Sequence, residues 1–280
     1  CLYYVASVER LLVYVVWKEL SSARLALAAL SGSAGSADLP ARTSTKAPMM
    51  PAAPSWTGFY IFGGAGGGVW DANTGVIDTA TGACILCANN RQGGDGWFGT
   101  VGAGYDWQFN QSWVLGILAD GQFGSLKGSI SDGLLGLNGV VSNNEKLQDT
   151  WAVGARIGYL VAPSVLSYVN GGYTGSDWSG TTLLDATTVT PSGFHTNSFS
   201  TQGWFVGGGV ENNLDIFGIS APGLFMKTEY RAAYYDNKNL TVLNDFTNIS
   251  TGTAINFHTL VQTISTSLVY RFNWTGPARY

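Results

Sequence analysis

Across residues 96–126 the chain alternates with a period of two. Odd positions carry Trp97, Val101, Ala103, Tyr105, Trp107 and Phe109 and, after Asn110-Gln111-Ser112, Trp113, Leu115, Ile117, Ala119 and Phe123. Even positions carry Thr100, Gly102, Gly104, Asp106, Gln108, Gly116, Asp120, Gln122 and Gly124. Successive side chains of an extended chain point to opposite faces, so this stretch reads as two strands joined by a tight turn. One face is apolar with aromatics near its ends; the other is glycine-rich with a few charges. Similar segments predict eight strands in all, at 57–70, 96–110, 113–126, 147–161, 165–178, 198–212, 224–235 and 257–272.

Alternation alone does not say which face is outside. A soluble all-β protein carries about 25% charged residues to hydrate its exterior, whereas this chain of 280 residues has 11% charged, 45% hydrophobic and 13% aromatic. Too few charges exist to coat a water-exposed wall. The apolar face is therefore expected to meet lipid, with Trp97, Tyr105, Trp107, Phe109, Trp113 and Phe272 forming aromatic girdles at the membrane interfaces. No segment has the 18 or more apolar residues of a spanning helix. The fold class that follows is all-β: a transmembrane antiparallel up-and-down β-barrel of eight strands.

Connection lengths point the same way. Turns at 110–112 and 162–164 are tight and 213–223 is moderate, while 71–95, 127–146, 179–197 and 236–256 are long and polar. Short periplasmic turns opposite long extracellular loops are the pattern of an outer-membrane barrel. Ten strands would result if the segment 181–199 hid a hairpin. Upstream, Arg24, the run Leu25-Ala-Leu-Ala-Ala-Leu30 and small residues 31–37 read as an export signal cleaved after Ala37. This divides the chain into a signal peptide with an unexplained upstream extension at 1–37, a flexible Pro/Ala-rich leader at 38–55, the barrel at 56–274 and a tail at 275–280.

Parity also sorts the charges. In 224–235, Lys227, Glu229 and Arg231 are spaced by two, opposite in direction to Leu224, Met226, Tyr230 and Tyr234. The same rule puts Asp106, Asp120, Arg156, Glu211 and Arg271 inside. Four acids and four bases then share an interior just wide enough for side chains to fill it, so the expected result is a paired network that plugs the lumen. Gly64, Gly66, Gly68, Gly102, Gly104, Gly207 and Gly209 leave room for long side chains beside them.

Other candidate chemistry is sparse. Cys84 and Cys87 form a C-x-x-C pair, a candidate disulfide in an oxidising compartment; a zinc site would need two further ligands, and the two histidines, His195 and His258, lie in distant segments. Those histidines would have to meet at the rim to hold haem. A rim hydrolase would draw on Ser192 or Ser198 with His195 and Asp185. No nucleophile-elbow, zinc-protease or nucleotide-binding motif is present. A net charge of −4 and the absence of a basic cluster exclude nucleic acid. No catalytic residue, metal or cofactor is assigned.

Trp56-Thr-Gly-Phe-Tyr60, Gly203-Trp-Phe-Val-Gly-Gly-Gly-Val-Glu211, Lys227-Thr-Glu-Tyr-Arg231 and Tyr270-Arg-Phe-Asn-Trp274, in that order, resemble the small porin-like or outer-membrane immunogenic β-barrel proteins of Gram-negative bacteria. Ala37-Asp-Leu-Pro40 is similar to their mature start. The resemblance covers 37–280, and 1–20 matches nothing in it. It implies an eight-stranded barrel in the cell outer membrane, acting as a structural surface protein, with solute passage or haem binding attributed to some members. The partners implied are outer-membrane lipid and the barrel-assembly machinery. The expected function is a structural, surface-exposed role; the alternatives are a narrow diffusion pore and a rim-located hydrolase.

Overall fold

A computed structural model describes residues 55–132, 140–185, 188, 190–219 and 221–272. The expected signal and C-terminal tail lie outside the described residues, as does the leader apart from Ser55. Eleven strands are found: β1 (Gly58–Asp78), β2 (Cys84–Gln108), β3 (Trp113–Asp132), β4 (Val140–Ala162), β5 (Val165–Trp178), β6 (Thr181–Asp185), β7 (Pro191–Thr196), β8 (Phe199–Asn213), β9 (Leu224–Tyr235), β10 (Lys238–Asn244) and β11 (Ser250–Arg271). Eight of them, β1-β2-β3-β4-β5-β8-β9-β11, pair antiparallel with their neighbours, and β1 pairs back onto β11 from Tyr60↔Arg271 to Asp78↔Thr253. The ring is closed, so these strands leave no unpaired edge among themselves.

Short connections gather at the end where the ring begins and finishes. Between β2 and β3 the side chain of Asn110 accepts the backbone N–H groups of Ser112 and Trp113 at 2.9 and 2.7 Å, an Asx turn that reverses the chain in four residues. Pro163 and Ser164 join β4 to β5. Between β8 and β9 a 3-10 helix, Leu214–Phe217, is capped by Asn213 and ends on Gly218 in the left-handed region at φ 77°.

The opposite end corrects the sequence reading. The segments 71–95, 127–146, 179–197 and 236–256, expected as long loops, are largely strand. β1, β2, β3, β4 and β11 each run several residues past the expected boundary, and β6, β7 and β10 arise wholly within those segments. The 181–199 segment does hide a hairpin, yet β6 and β7 do not enter the ring of eight. They form an upper tier, in which β6 pairs the start of β4 (Val140↔Asp185, Val141↔Leu184), β7 pairs β6 and β10, and β10 pairs β11. The alternating signal fades here because no greasy exterior is required. Outward positions of β1 become Asp71, Asn73 and Gly75 while Ala72, Thr74 and Val76 stay buried.

Two apolar clusters fill the ring. The lower one joins Trp56, Tyr60, Phe62, Leu166, Phe225 and Val269; the upper one joins Trp70, Phe98, Leu126, Leu147, Trp178 and Phe257 with Leu183, Leu240 and Val242 from the added strands. Trp178 stacks on Phe199 and meets Phe257 edge-on at 5.1 Å between ring centres. The loop strands thus continue the core upward as a lid.

One buried carboxyl in this upper tier has no hydrogen-bond partner among the described residues. Glu145 is fully buried, and among the described residues neither carboxylate oxygen is hydrogen-bonded. Burial pushes its pKa from an ordinary 4.5 up to about 8. The folded chain then holds a proton that the unfolded chain releases, so stability falls as pH rises from about 4.5 to about 8. Glu145→Gln, which keeps the shape without the titration, should flatten that fall and raise the unfolding midpoint above pH 8. Denaturation curves of the two proteins from pH 4 to 9 check this; parallel curves would show that Glu145 is not the group responsible.

Candidate functional site

Inward parity on β2, β3, β4, β8, β9 and β11 brings eight charged side chains into the interior, all of them buried: Asp106, Asp120, Arg156, Glu211, Lys227, Glu229, Arg231 and Arg271. Four of them close on one another. Arg156 donates to Asp106 through Nε (2.9 Å) and Nη2, and to Glu211 through Nη1 (3.2 Å). Arg271 donates to Glu211 through Nε (2.7 Å) and to Asp106 through Nη2 (2.8 Å). Two acids and two guanidinium groups alternate around a cycle, each charge touching two of opposite sign. Arg271 spends a further N–H on the carbonyl of Trp56 at 3.3 Å, tying the segment that leads into β1 to the last strand.

The other four form a chain. Arg231 grips Asp120 with two parallel bonds of 2.9 and 2.7 Å, the fork geometry that makes arginine–carboxylate pairs strong, and reaches Glu229 at 2.8 Å. Lys227 lies 3.7 Å from Glu229 Oε2, the same oxygen that accepts the Tyr168 hydroxyl at 2.8 Å. Charge is balanced in both sets. An isolated buried ion costs several kcal/mol, and here each cation has at least one acid partner.

Aromatic faces complete the coordination. The Arg156 guanidinium sits between Tyr60 and Tyr168, 4.4 and 5.0 Å from their ring centres. Lys227 lies 3.3 Å over Phe62, Arg231 4.5 Å over Phe205 and Arg271 4.4 Å over Trp56. These contacts use the negative ring face where no carboxylate fits. Glycines admit the rings: Tyr60 and Phe62 lie across β2's Gly104 and Gly102, and a methyl group added at Gly102 would come within 2.5 Å of Phe62. Sequence parity located the charges but not these aromatic partners, because the pattern gives a face and not a register.

Outward, Trp97 is 81% exposed and Trp107, Phe109, Trp113 and Phe272 are also exposed, with Tyr105 half-buried against Phe59. They fall in two bands. Phe59, Tyr105, Trp107, Phe109, Trp113, Tyr159 and Phe272 lie near the short turns, and Trp97, Phe123, Trp151, Tyr173, Trp204 and Tyr234 lie nearer the upper tier.

The remaining candidates are dispersed. Cys84 is disulfide-bonded, while the Cys87 side chain lies outside the described residues. His195 Nδ1 is 2.6 Å from Asp245 and His258 is bonded to Asn237. His195 faces Leu243, which faces Ser250, eight residues along β11 from His258, so the two histidines do not meet. Ser192 donates to the Leu183 carbonyl and Asp185 caps its own turn through Thr188, which leaves Ser192, His195 and Asp185 unassembled. No group of three or more metal-ligating side chains occurs among the described residues.

Comparison with known proteins agrees with this geometry. The chain is 32% identical over 222 residues to the 31 kDa outer-membrane immunogenic protein of Brucella melitensis biotype 1, covering 78% of this chain and 84% of that protein. The protein of the same name from Brucella suis biovar 1 matches equally. Among solved structures, the outer membrane protein OprG from Pseudomonas aeruginosa superposes with a TM-score of 0.51 at 12% identity, covering 77% of this chain and 97% of that one, which shows a likeness of fold. A family profile described as outer membrane protein beta-barrel domain matches residues 25–272. The chain belongs to the outer membrane protein beta-barrel family and is a protein of the cell outer membrane.

Proposed function

We propose that this protein is a lipid-embedded, non-conducting barrel with a structural role, whose upper tier is presented to the exterior. The single observation that carries the reading is the closed cycle of Asp106, Arg156, Glu211 and Arg271 across the interior. Ions that conduct must exchange water and partners freely. Charges held by two opposite charges each, with aromatic rings on their remaining faces, are poor stepping stones. One apolar cluster packs around the cycle and a second lies above it. A small hollow among Phe98, Leu126, Leu147 and Thr263 measures about 10 Å³, at the lower limit for a single water.

The outward face supports lipid contact by its composition. Phe59, Ile117, Val169 and Ile264 are each more than half exposed, on four different strands. A contiguous apolar wall of that kind in water would cause association. In a bilayer it is the expected exterior, flanked by aromatic bands.

Two measurements test the reading. Purified protein in a planar bilayer should show little steady current, whereas a stable, ion-selective conductance would promote the diffusion pore instead. Glu229→Ala leaves Lys227 without its acid and removes one of two acids from Arg231, and should cost about 3–5 kcal/mol, the usual penalty for breaking a buried pair. A hydrated lumen would screen these charges and limit the loss to about 0–1 kcal/mol.

Orientation is checked separately. In a cysteine-free background, Val101→Cys, Ala103→Cys, Leu115→Cys and Ile117→Cys should react with a membrane-restricted reagent, and Thr100→Cys and Thr263→Cys should not. The reverse pattern sinks the lipid-facing assignment.

A further inference from the structure

Eight cations lie between residues 55 and 272. Four belong to the interior network, Arg91 is paired with Asp71 at 3.5 Å, and Lys238 is exposed on β10. The last two, Lys127 and Lys146, are direct cross-strand neighbours on β3 and β4. Like charges placed opposite each other destabilise a sheet. Such a pair calls for an anion. Among the described residues neither ammonium is ion-paired. Asp95, the β2 neighbour of Lys127, is not within pairing distance, and Asp149 and Asp177 face each other across β4 and β5.

The lysines border a cavity of about 460 Å³ on the outer wall, where β5 gives way to β6. Its other walls include Ser179, Gly180, Thr181 and Thr182. Ser179 and the exposed Thr182 beside two ammonium groups make a set of donors, with no carboxylate among the lining residues. Gly180 is required for the shape: a side-chain carbon there would lie 2.7 Å from the Thr196 carbonyl, so only glycine lets this turn press onto β7 and open the recess beside it.

Height selects the ligand. Trp97 is opposite Ser125, and Lys127 is two residues further up β3. At a strand rise of about 3.3 Å and a tilt of about 40°, that is roughly 5 Å above the outward tryptophan. Interfacial tryptophans sit at headgroup level, so the lysines stand where the phosphates of outer-leaflet glycolipid lie. We propose that Lys127 and Lys146, with the hydroxyls of Ser179 and Thr182, form a binding site for a phosphomonoester, supplied by the headgroup of an outer-leaflet glycolipid. Two point charges with flexible stems neutralise a phosphate without demanding one geometry, and the hydroxyls donate to its remaining oxygens. The proposal rests on the reading that the outward face meets lipid.

The test uses the full chain in zwitterionic micelles, titrated with diphosphorylated lipid A, with dephosphorylated lipid A and with inorganic phosphate, reading the thermal unfolding midpoint. The phosphorylated lipid should raise the midpoint of the wild type and the dephosphorylated lipid should not. Lys127→Gln combined with Lys146→Gln should weaken the apparent affinity on the order of thirtyfold, the loss expected for two lysines at a membrane surface. Lys238→Gln, the same charge change elsewhere, should leave it intact, and Lys127→Arg with Lys146→Arg should retain it. Equal protection by both lipids would overturn the phosphate site while leaving the lipid-facing wall in place. Equal protection by inorganic phosphate at the same concentration would reassign the ligand to a soluble anion and overturn the lipid source. Failure of both lipids, with no membrane label at Val101→Cys, would remove the lipid reading itself.

Discussion

A closed ring of eight strands leaves an interior that side chains must fill, and every other feature of this protein answers to that constraint. Closing the ring satisfies the backbone at its edges, which is what permits an apolar exterior in lipid. It also sends half of every strand inward. Charged residues placed there are buried, and Asp106, Arg156, Glu211 and Arg271 pair with one another. Because the four come from four strands, β2, β4, β8 and β11, their cycle links positions across the ring that backbone hydrogen bonds cannot reach.

Glycine and aromatic side chains divide that interior between them. Arg156 lies between two tyrosines, and Tyr60 itself leans across Gly104 on the neighbouring strand. A larger residue at that glycine would displace the tyrosine, and with it the face on which the guanidinium rests. The glycine-rich inner face seen in the sequence is therefore the space that the aromatic rings occupy.

Much of this was legible before any coordinates. Strands 165–178 and 224–235 have their expected limits, because Pro163 fixes one end of the first and the charge spacing of Lys227, Glu229 and Arg231 marks the second. Apart from the hairpin raised for 181–199, the upper tier was not legible, since its strands owe their form to pairing with distant segments and carry no alternating signal. Glu145 escaped for a different reason. Odd residues of β4 from Trp151 onward face out, but an irregularity between Leu147 and Asp149 reverses the parity, so that odd Leu147 and Glu145 face in. Tyr168 escaped because nothing in its spacing distinguishes a partner of Glu229 from any other inward aromatic.

The upper tier also changes what an approaching molecule meets. In place of four independent flexible loops there is a stitched surface in which β4, β6, β7, β10 and β11 lie side by side. Asp245 touches His195, fifty positions away in the chain, and Lys238 lies opposite Phe257. A binder gripping this end holds several remote segments at once, and a synthetic peptide copied from any single segment reproduces only one side of the grip. The surface at this end is a property of the assembled rim, and it disappears when the chain unfolds even though every residue is still present.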